Sequence, residues 1–142
     1  MTAPKLWIVM TRCHHALQQL VEQDIAGLGL CLSDFMVLEA LLHKGPLTIS
    51  EIQSKVLLAT GSMTAAVDRL EARGLVVRKA VSEDRRARRL ELTPGGRGLI
   101  EGAFAEHSRH LEEALSVLDE TEKQQLYGCL KKLGRSVARS IV

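Results

Sequence analysis

Aromatic side chains are scarce in this chain of 142 residues, which has one Trp, one Tyr and two Phe. Proteins that hold single-stranded nucleic acid stack the bases on aromatic rings, so this class of binding site is disfavoured. The chain also has no apolar run long enough for a membrane helix, and residues 1–6 do not resemble a leader peptide. We therefore expect a cytoplasmic protein with no membrane partner.

Cysteine is equally sparse, with Cys13, Cys31 and Cys129 forming an odd set that has no CxxC spacing. This pattern argues against a disulfide framework and against a structural zinc site. No Ser-His-Asp, paired-carboxylate or phosphate-loop pattern is readable, and Gly95, Gly96 and Gly98 lack the Lys-Ser/Thr context of a nucleotide loop. We expect no catalytic site, no cofactor and no enzymatic activity.

Apolar residues recur at helical spacing in the first third of the chain. They predict an amphipathic helix from Lys5 to about Ile25, ended by Gly27 and Gly29. Ser33 has the chemistry of a helix cap and predicts a second helix that runs to His43 before Gly45-Pro46.

A helix-turn-helix pattern follows. Thr48 and Glu51 have the spacing of a capping box, which predicts a short helix. Thr60 can cap a further helix from Gly61 to about Arg73, ended by Gly74. The face of this helix that we expect to be buried comprises Met63, Val67 and Leu70.

The opposite side of that helix carries small and polar side chains, which allow a helix to enter a major groove. We therefore predict DNA contacts by Ser62, Thr64, Ala65 and Arg69. Other roles are open for some of them. Ser62 and Thr64 could satisfy backbone amides at the helix start, and Arg69 could reach a phosphate or pair with Asp68 or Glu71.

Positive charge is concentrated just after this helix. From Arg69 to Arg89 there are eight Lys/Arg and three Asp/Glu, which gives +5 in a chain whose total is +2. The segment is predicted to form two β-strands joined by a tip at residues 82–86. Duplex DNA attracts cations gathered on one face, so Arg85, Arg86 and Arg88 are predicted DNA contacts. Arg88 shares a strand face with Leu90 and could form an internal ion pair instead.

Two further helices are predicted at the C-terminal end. Thr93-Pro94 is a strong helix start, and Asp119 with Glu122 has capping-box spacing. The apolar positions of the last helix are Leu126, Leu130, Leu133, Val137 and Ile141. Together with the first helix they present more apolar surface than a small winged helix covers, which predicts a symmetric homodimer. Its reading helices would lie about 34–36 Å apart, matching a palindromic site.

The predicted fold class is mainly α with a small β wing, a winged helix-turn-helix with N- and C-terminal dimerisation helices. We expect three regions in one compact domain. Residues 1–32 would form the N-terminal dimerisation helix, residues 33–96 the DNA-binding region, and residues 97–142 the C-terminal dimerisation helices.

The chain resembles the multiple-antibiotic-resistance regulator (MarR) family of winged-helix repressors over nearly its whole length. The matching residues are Gly61-Ser62-Met63-Thr64, Asp68-Arg69-Leu70-Glu71, Gly74-Leu75-Val76, Arg78 and Asp84-Arg85-Arg86, followed by Leu90, Leu92, Thr93 and Gly96.

This resemblance implies a homodimer that binds double-stranded DNA, with the 61–73 helix in the major groove and the wing in the minor groove. Arg86 matches the family's minor-groove arginine, and Asp84 matches the acidic residue that orients it. The resemblance also implies a repressor that a small, often phenolic ligand releases from DNA. Residues 47–70 are most similar to a branch associated with quinone or phenolic stress.

Several departures and alternatives are open. Many family members carry Arg, Asn or Gln where this chain has Ala65-Ala66, so shape, phosphate and thymine-methyl contacts would carry more of its specificity. Cys13 could sense oxidants or be a small apolar interface residue. We interpret His107 and His110 as surface histidines, and a zinc site formed by them is the weaker alternative. A wing that docks an acidic protein is a competing function.

Overall fold

The computed structural model describes residues 1–56, 60–81 and 84–141, without the side chains of residues 60 and 84–87. The elements are α1 (Ala3–Ala26), α2 (Leu32–Lys44), β1 (Leu47–Thr48), α3 (Ile49–Val56), α4 (Thr60–Ala72), β2 (Val76–Val81), β3 (Asp84–Leu92), α5 (Pro94–Leu115) and α6 (Glu120–Ser140). This confirms the predicted mainly α class with a small sheet. The described helices include none that is long and apolar enough to cross a membrane. The chain divides into two units, Met1–His107 and Ser108–Val142.

Local capping chemistry sets where the short helices begin. The amide of Thr48 donates to Glu51 Oε2 at 2.7 Å, and the amide of Glu51 donates to Thr48 Oγ1 at 3.2 Å, so the predicted capping box at the start of α3 is confirmed. The predicted cap of α2 is wrong. Cys31, not Ser33, caps α2, because the Cys31 amide donates to Asp34 Oδ2 at 3.1 Å.

The three strands form one antiparallel sheet in the order β1-β3-β2. Leu90 lies opposite Leu47 on one side and Arg78 on the other, and Leu92 lies opposite Val76. The register shifts between Ala80 and Val81. Strand β3 begins at Asp84, so residues 84–86 belong to a strand and not to the tip that the sequence predicted. Asp84 begins the strand because it pairs with Val81 on β2.

The first unit has a continuous apolar core built by α2, α3, α4, β3 and α5. Its side chains with at most 1% exposure include Phe35, Leu38, Leu41, Ile52, Met63, Val67, Leu70, Leu90 and Ile100. Each such side chain contributes about 1.5–3 kcal/mol of burial free energy. The predicted inner face of α4 is therefore confirmed, and burial fixes which side of this helix faces solvent.

A junction around Thr93 joins α4, β2 and α5. Gly74 ends α4 with φ of 68°, as the sequence predicted, and its carbonyl accepts a 2.7 Å hydrogen bond from Thr93 Oγ1. The same hydroxyl accepts from the amide of Gly96 at 2.9 Å, which caps α5. Gly96 packs so closely that a Cβ there would lie 1.9 Å from the carbonyl oxygen of Leu75. Only glycine fits at this contact.

His107 differs from its predicted surface location. It is 7% exposed, its Nδ1 lies 3.1 Å from Asp24 Oδ2, and its ring stands edge-on to Phe35 at 5.3 Å. The reason is helical spacing, since His107 follows the buried Ala103 by one turn of α5. In the part of the chain that the structure describes, no three His, Cys, Asp or Glu side chains form a group that could hold a metal.

The second unit contains the end of α5 and all of α6. The predicted capping box is confirmed, because the amide of Glu122 donates to Asp119 Oδ1 and the amide of Asp119 donates to Glu122 Oε2, both at 2.9 Å. The apolar stripe of α6 is open to solvent in the single chain. Leu126, Leu130, Leu133 and Val137 are 42–45% exposed.

Candidate DNA interface

Helix α4 offers one side to the core and the other to solvent. Met63, Ala66, Val67 and Leu70 are completely buried, whereas the predicted contact residues Ser62, Thr64, Ala65 and Arg69 are exposed together. The 3.6-residue period explains this division, because the buried positions recur three or four residues apart. The result is an exposed surface of small side chains held on a rigid support.

The two alanines at the middle of α4 have different environments. Ala65 is exposed, but Ala66 is completely buried. Only Ala65 thus stands where a longer polar side chain could reach a base edge. A methyl group at that position can contact a thymine methyl but cannot donate or accept a hydrogen bond.

Arg69 binds a residue that the sequence did not suggest. Its Nη2 and Nε lie 2.7 and 3.1 Å from Asp34 Oδ1, and its Nη2 also lies 3.1 Å from Cys31 Sγ and 3.2 Å from Ser33 Oγ. Of the alternatives that the sequence left open for Arg69, pairing with Asp68 or Glu71 is wrong, because Asp34 is the partner. Asp34 lies 35 residues away, on α2, and no local spacing could have identified it.

The environment of Asp34 is that of a buried, paired carboxylate. Its side chain is 4% exposed and that of Arg69 is 47% exposed. Burial raises the pKa of Asp34, but hydrogen bonds from the Arg69 guanidinium and the Cys31 amide outweigh burial, and the net pKa is lowered. The same hydrogen bond to Asp34 raises the pKa of Arg69. The pair ties the outer edge of α4 to the start of α2.

Two other arginines also stabilise the position of α4. Arg78 on β2 lies 2.5 Å from Asp68 and 3.2 Å from Glu71, both on α4. Arg73 donates to the carbonyls of Gly29 and Leu28 at 3.0 Å each. Sequence reasoning missed these bonds because the partners come from different elements. Part of the positive charge counted between Arg69 and Arg89 is thus already paired within the protein.

The hairpin of β2 and β3 carries the remaining predicted contacts. Arg88 and Arg89 are exposed and pair in register with Ala80 and Lys79. Lys79 Nζ forms a 2.6 Å bridge to Glu91 across the strands. The other three predicted residues of the hairpin are Asp84, Arg85 and Arg86. Their backbone belongs to β3, but their side chains lie outside the described part of the structure.

The cysteines differ in their surroundings. Cys13 on α1 is exposed, as are Cys31 and Cys129. The Sγ of Cys31 lies 3.1 Å from Arg69 Nη2. His110 lies in the second unit, where its Nε2 is 2.6 Å from Arg109 Nη2.

Comparisons with known proteins agree with this architecture. The family model described as MarR family matches residues 30–87, the segment from the start of α2 to the hairpin. The chain is 38% identical over 130 residues to the HTH-type transcriptional regulator MhqR of Bacillus subtilis (strain 168). That alignment covers 92% of this chain and 90% of MhqR. The name of this relative describes a regulator and not an enzyme.

Solved structures show the same fold. A structure described as reduced AbfR bound to DNA matches with a TM-score of 0.79 at 24% identity, covering 99% of this chain and 94% of AbfR. A structure of Bordetella bronchiseptica BpsR matches with a TM-score of 0.80 at 23% identity. The DNA binding of BpsR is regulated by 6-hydroxynicotinic acid. That match covers 89% of this chain and 90% of BpsR.

Proposed function

Since this chain belongs to the MarR family of DNA-binding transcriptional regulators, we propose that it acts as a homodimeric repressor which a small ligand releases from a palindromic DNA site. Such a repressor would work in the cytoplasm. In this proposal residues 33–96 bind DNA, and residues 1–32 and 97–142 hold the two copies together.

The observation that carries the proposal is the outer face of α4. Ser62, Thr64 and Ala65 are exposed there, while the inner face is fixed in the core. Short side chains allow the helix axis to approach the floor of a major groove, and hydroxyl groups can bind either phosphates or base edges. The wing would add Arg85, Arg86 and Arg88, with Asp84 orienting Arg86 toward a narrow A·T minor groove.

Exposed apolar stripes support the proposed dimer. On α1, Leu6, Trp7 and Val9 are 46%, 68% and 62% exposed, and α6 carries its own stripe of leucines. A second copy presents identical stripes, so a two-fold interface would remove them from water on both chains.

Regulation by a ligand is supported by the description of BpsR, in which 6-hydroxynicotinic acid regulates DNA binding. For this chain we propose a small organic effector, with phenolic and quinone-like compounds as the first to test. The expected result is a lower affinity for the operator when the effector is present, measured by anisotropy of a labelled duplex. If phenolic and quinone-like compounds leave the operator affinity unchanged, the proposed class of effector is wrong.

The experiment that tests the proposed function is footprinting of the purified dimer on the DNA upstream of its own gene. We expect a protected palindrome and a preference over random duplex. Arg86→Ala should weaken operator binding by about 1–3 kcal/mol and reduce the preference for A·T pairs under the wing. A dimer that binds operator and random duplex equally would contradict the proposal.

Oxidation of Cys13 is the alternative trigger. Cys13→Ser should then abolish release of DNA by peroxide or quinone. Equal release from the wild-type and Cys13→Ser proteins would eliminate Cys13 as the sensor, with Cys129→Ser as the matched control on an exposed thiol.

A further inference from the structure

The end of α4 is bonded to the segment that joins α1 to α2. We call this segment, residues 27–31, the α1–α2 connection. Arg73 directly follows α4, and its Nη1 and Nη2 donate to the carbonyls of Gly29 and Leu28, both at 3.0 Å. One turn earlier, Arg69 bonds Asp34 in the first turn of α2 at 2.7 Å. Bonds from α4 therefore hold both sides of the connection.

The carbonyls that Arg73 binds belong to the turn that ends α1. The amides of Leu28 and Gly29 bond the carbonyls of Ile25 and Ala26 at 3.0 and 3.1 Å, so this turn continues directly from the helix. Carbonyls at the end of a helix have no partner on the helix itself. Because a guanidinium is a planar fork, Arg73 supplies donors to two successive carbonyls and fixes the direction of both bonds.

Arg73 restrains a movement that the apolar contacts of the connection leave open. Ile25 and Leu30 are 1% and 6% exposed, so they anchor this part of the chain in the core. Burial of apolar surface is not directional, whereas a hydrogen bond requires a defined distance and angle. The bonds of Arg73 lie on the exposed side. We therefore expect them to limit rotation of the end of α1 relative to α4.

This restraint acts on the geometry that a palindrome would test. In the proposed dimer α1 lies in the interface and α4 reads DNA, so the separation of the two reading helices depends on how α1 is set against α4 in each copy. One added base pair moves a half-site by about 3.4 Å and turns it by about 35°. A stiff link between α1 and α4 would make such a change costly.

We propose that Arg73 is a positioning residue for DNA binding, which sets the half-site spacing that the dimer accepts by fixing α4 to the α1–α2 connection. The inference rests on the proposed function, because only a dimer on a palindrome has a half-site spacing. In this role Arg73 does not bind DNA. Both of its Nη atoms already donate to backbone carbonyls.

The test measures the affinity of the full-length dimer for the footprinted operator and for two duplexes with one base pair inserted or removed at the centre of the palindrome. The variants are Arg73→Ala and Arg73→Lys, which keeps the charge but not the planar fork. The control is Arg97→Ala, because Arg97 is exposed and its partner Glu101 lies on the same helix. Each titration is repeated at several KCl concentrations. Sedimentation and circular dichroism verify that each protein is a folded dimer.

We expect the wild-type dimer to prefer the operator over both altered spacings. Arg73→Ala should reduce this affinity ratio by about fivefold, the effect of losing about one ordinary hydrogen bond. Arg73→Lys should resemble Arg73→Ala, since one ammonium does not reproduce the fork. Both variants should keep the wild-type slope of log affinity against log salt, because no phosphate contact is lost. Arg97→Ala should match the wild type in ratio and slope.

Three results would overturn this role for Arg73. A wild-type ratio in Arg73→Ala with a salt slope reduced by about 1 would make Arg73 a phosphate contact. A wild-type ratio with an unchanged slope would limit Arg73 to stability, and full rescue by Arg73→Lys would mean that charge and not the fork matters. All three leave the operator footprint intact. A wild-type dimer that binds all three duplexes equally would instead contradict the proposed function.

Discussion

At the scale of single residues, the pair of Arg69 and Asp34 shows why an exposed arginine beside the proposed DNA-binding face of α4 need not be a DNA contact. The carboxylate is buried and the guanidinium is half exposed, so the bond is partly shielded from solvent. The arginine holds α4 against the start of α2. Its structural role is to fix the position of α4 relative to α2.

Arg69→Ala should lower the free energy of unfolding by about 2 kcal/mol, because it leaves the buried Asp34 carboxylate without the guanidinium. Arg97→Ala is the matched control, since the pair of Arg97 with Glu101 is exposed and 3.6 Å long, and its loss should cost at most about 0.5 kcal/mol. Urea unfolding measures both. Equal stability of the two variants would contradict a stabilising role for the Arg69–Asp34 pair between α2 and α4.

The pH dependence of stability gives a second prediction for the same pair. The pKa of Asp34 in the folded chain is lowered from its ordinary value of 3.8, so the carboxylate stabilises the fold above pH 3.8. This contribution is lost as the pH falls through the lowered pKa. Urea unfolding at stepwise lower pH should therefore show Asp34→Asn less stable than wild type at neutral pH, with the difference shrinking in acid. A constant difference down to the lowest pH would contradict the assigned ion pair.

At the scale of elements, local chemistry made the helix starts predictable. The capping boxes at Thr48 and Asp119 are formed by residues three positions apart, and Gly74 ends α4 by its own backbone conformation. All of this information is local in the sequence. The cap of α2 was mispredicted because Cys31 is not a usual cap residue, and the Asp34 carboxylate that accepts from its amide lets the helix begin two residues before Ser33 would allow. The bonds of Arg69, Arg73 and Arg78 were not predictable, since each joins residues from separate elements.

Close packing at the start of α5 predicts opposite effects for two glycines of one helix. Gly96→Ala should lower the free energy of unfolding by about 2–3 kcal/mol, because its Cβ would overlap the Leu75 carbonyl at 1.9 Å. Gly98→Ala has nothing within 4 Å of the added methyl and should raise stability by up to about 1 kcal/mol. Thermal unfolding of both variants distinguishes them. Similar effects of the two substitutions would mean that α5 does not pack on Leu75 in this way.

At the scale of the whole molecule, apolar patterning predicted the exposed stripe of α6, but net charge concealed a second basic segment. Residues 123–141 contain five Lys/Arg and no Asp/Glu, which gives +5, the same charge as the segment from Arg69 to Arg89. A total of +2 and a basic hairpin suggested that the rest of the chain is mildly acidic. The helix shows that equal positive charge is gathered on α6 and offset elsewhere. A sum over the chain cannot show how charge is distributed over a surface, whereas the period of a helix can.

Dimer formation through the stripe of α6 can be tested by one substitution. Leu130→Glu should shift the protein toward monomers, because it places a charge on a leucine that is 45% exposed in the single chain and covered in the proposed dimer. Gln124→Glu adds the same charge to the opposite side of the helix and should leave the dimer intact. Sedimentation equilibrium reports both, and operator affinity should fall with the loss of dimers. A dimeric Leu130→Glu protein would show that the stripe is not the interface.

The hydroxyl of Thr93 bonds the last turn of one helix and the first turn of another, through the Gly74 carbonyl and the Gly96 amide. These two bonds join the start of α5 to the end of α4 through a single side chain, a shorter connection than the one through the hairpin. In the proposed ligand-released repressor, this one side chain would couple the start of α5 to α4, the helix proposed to read the major groove.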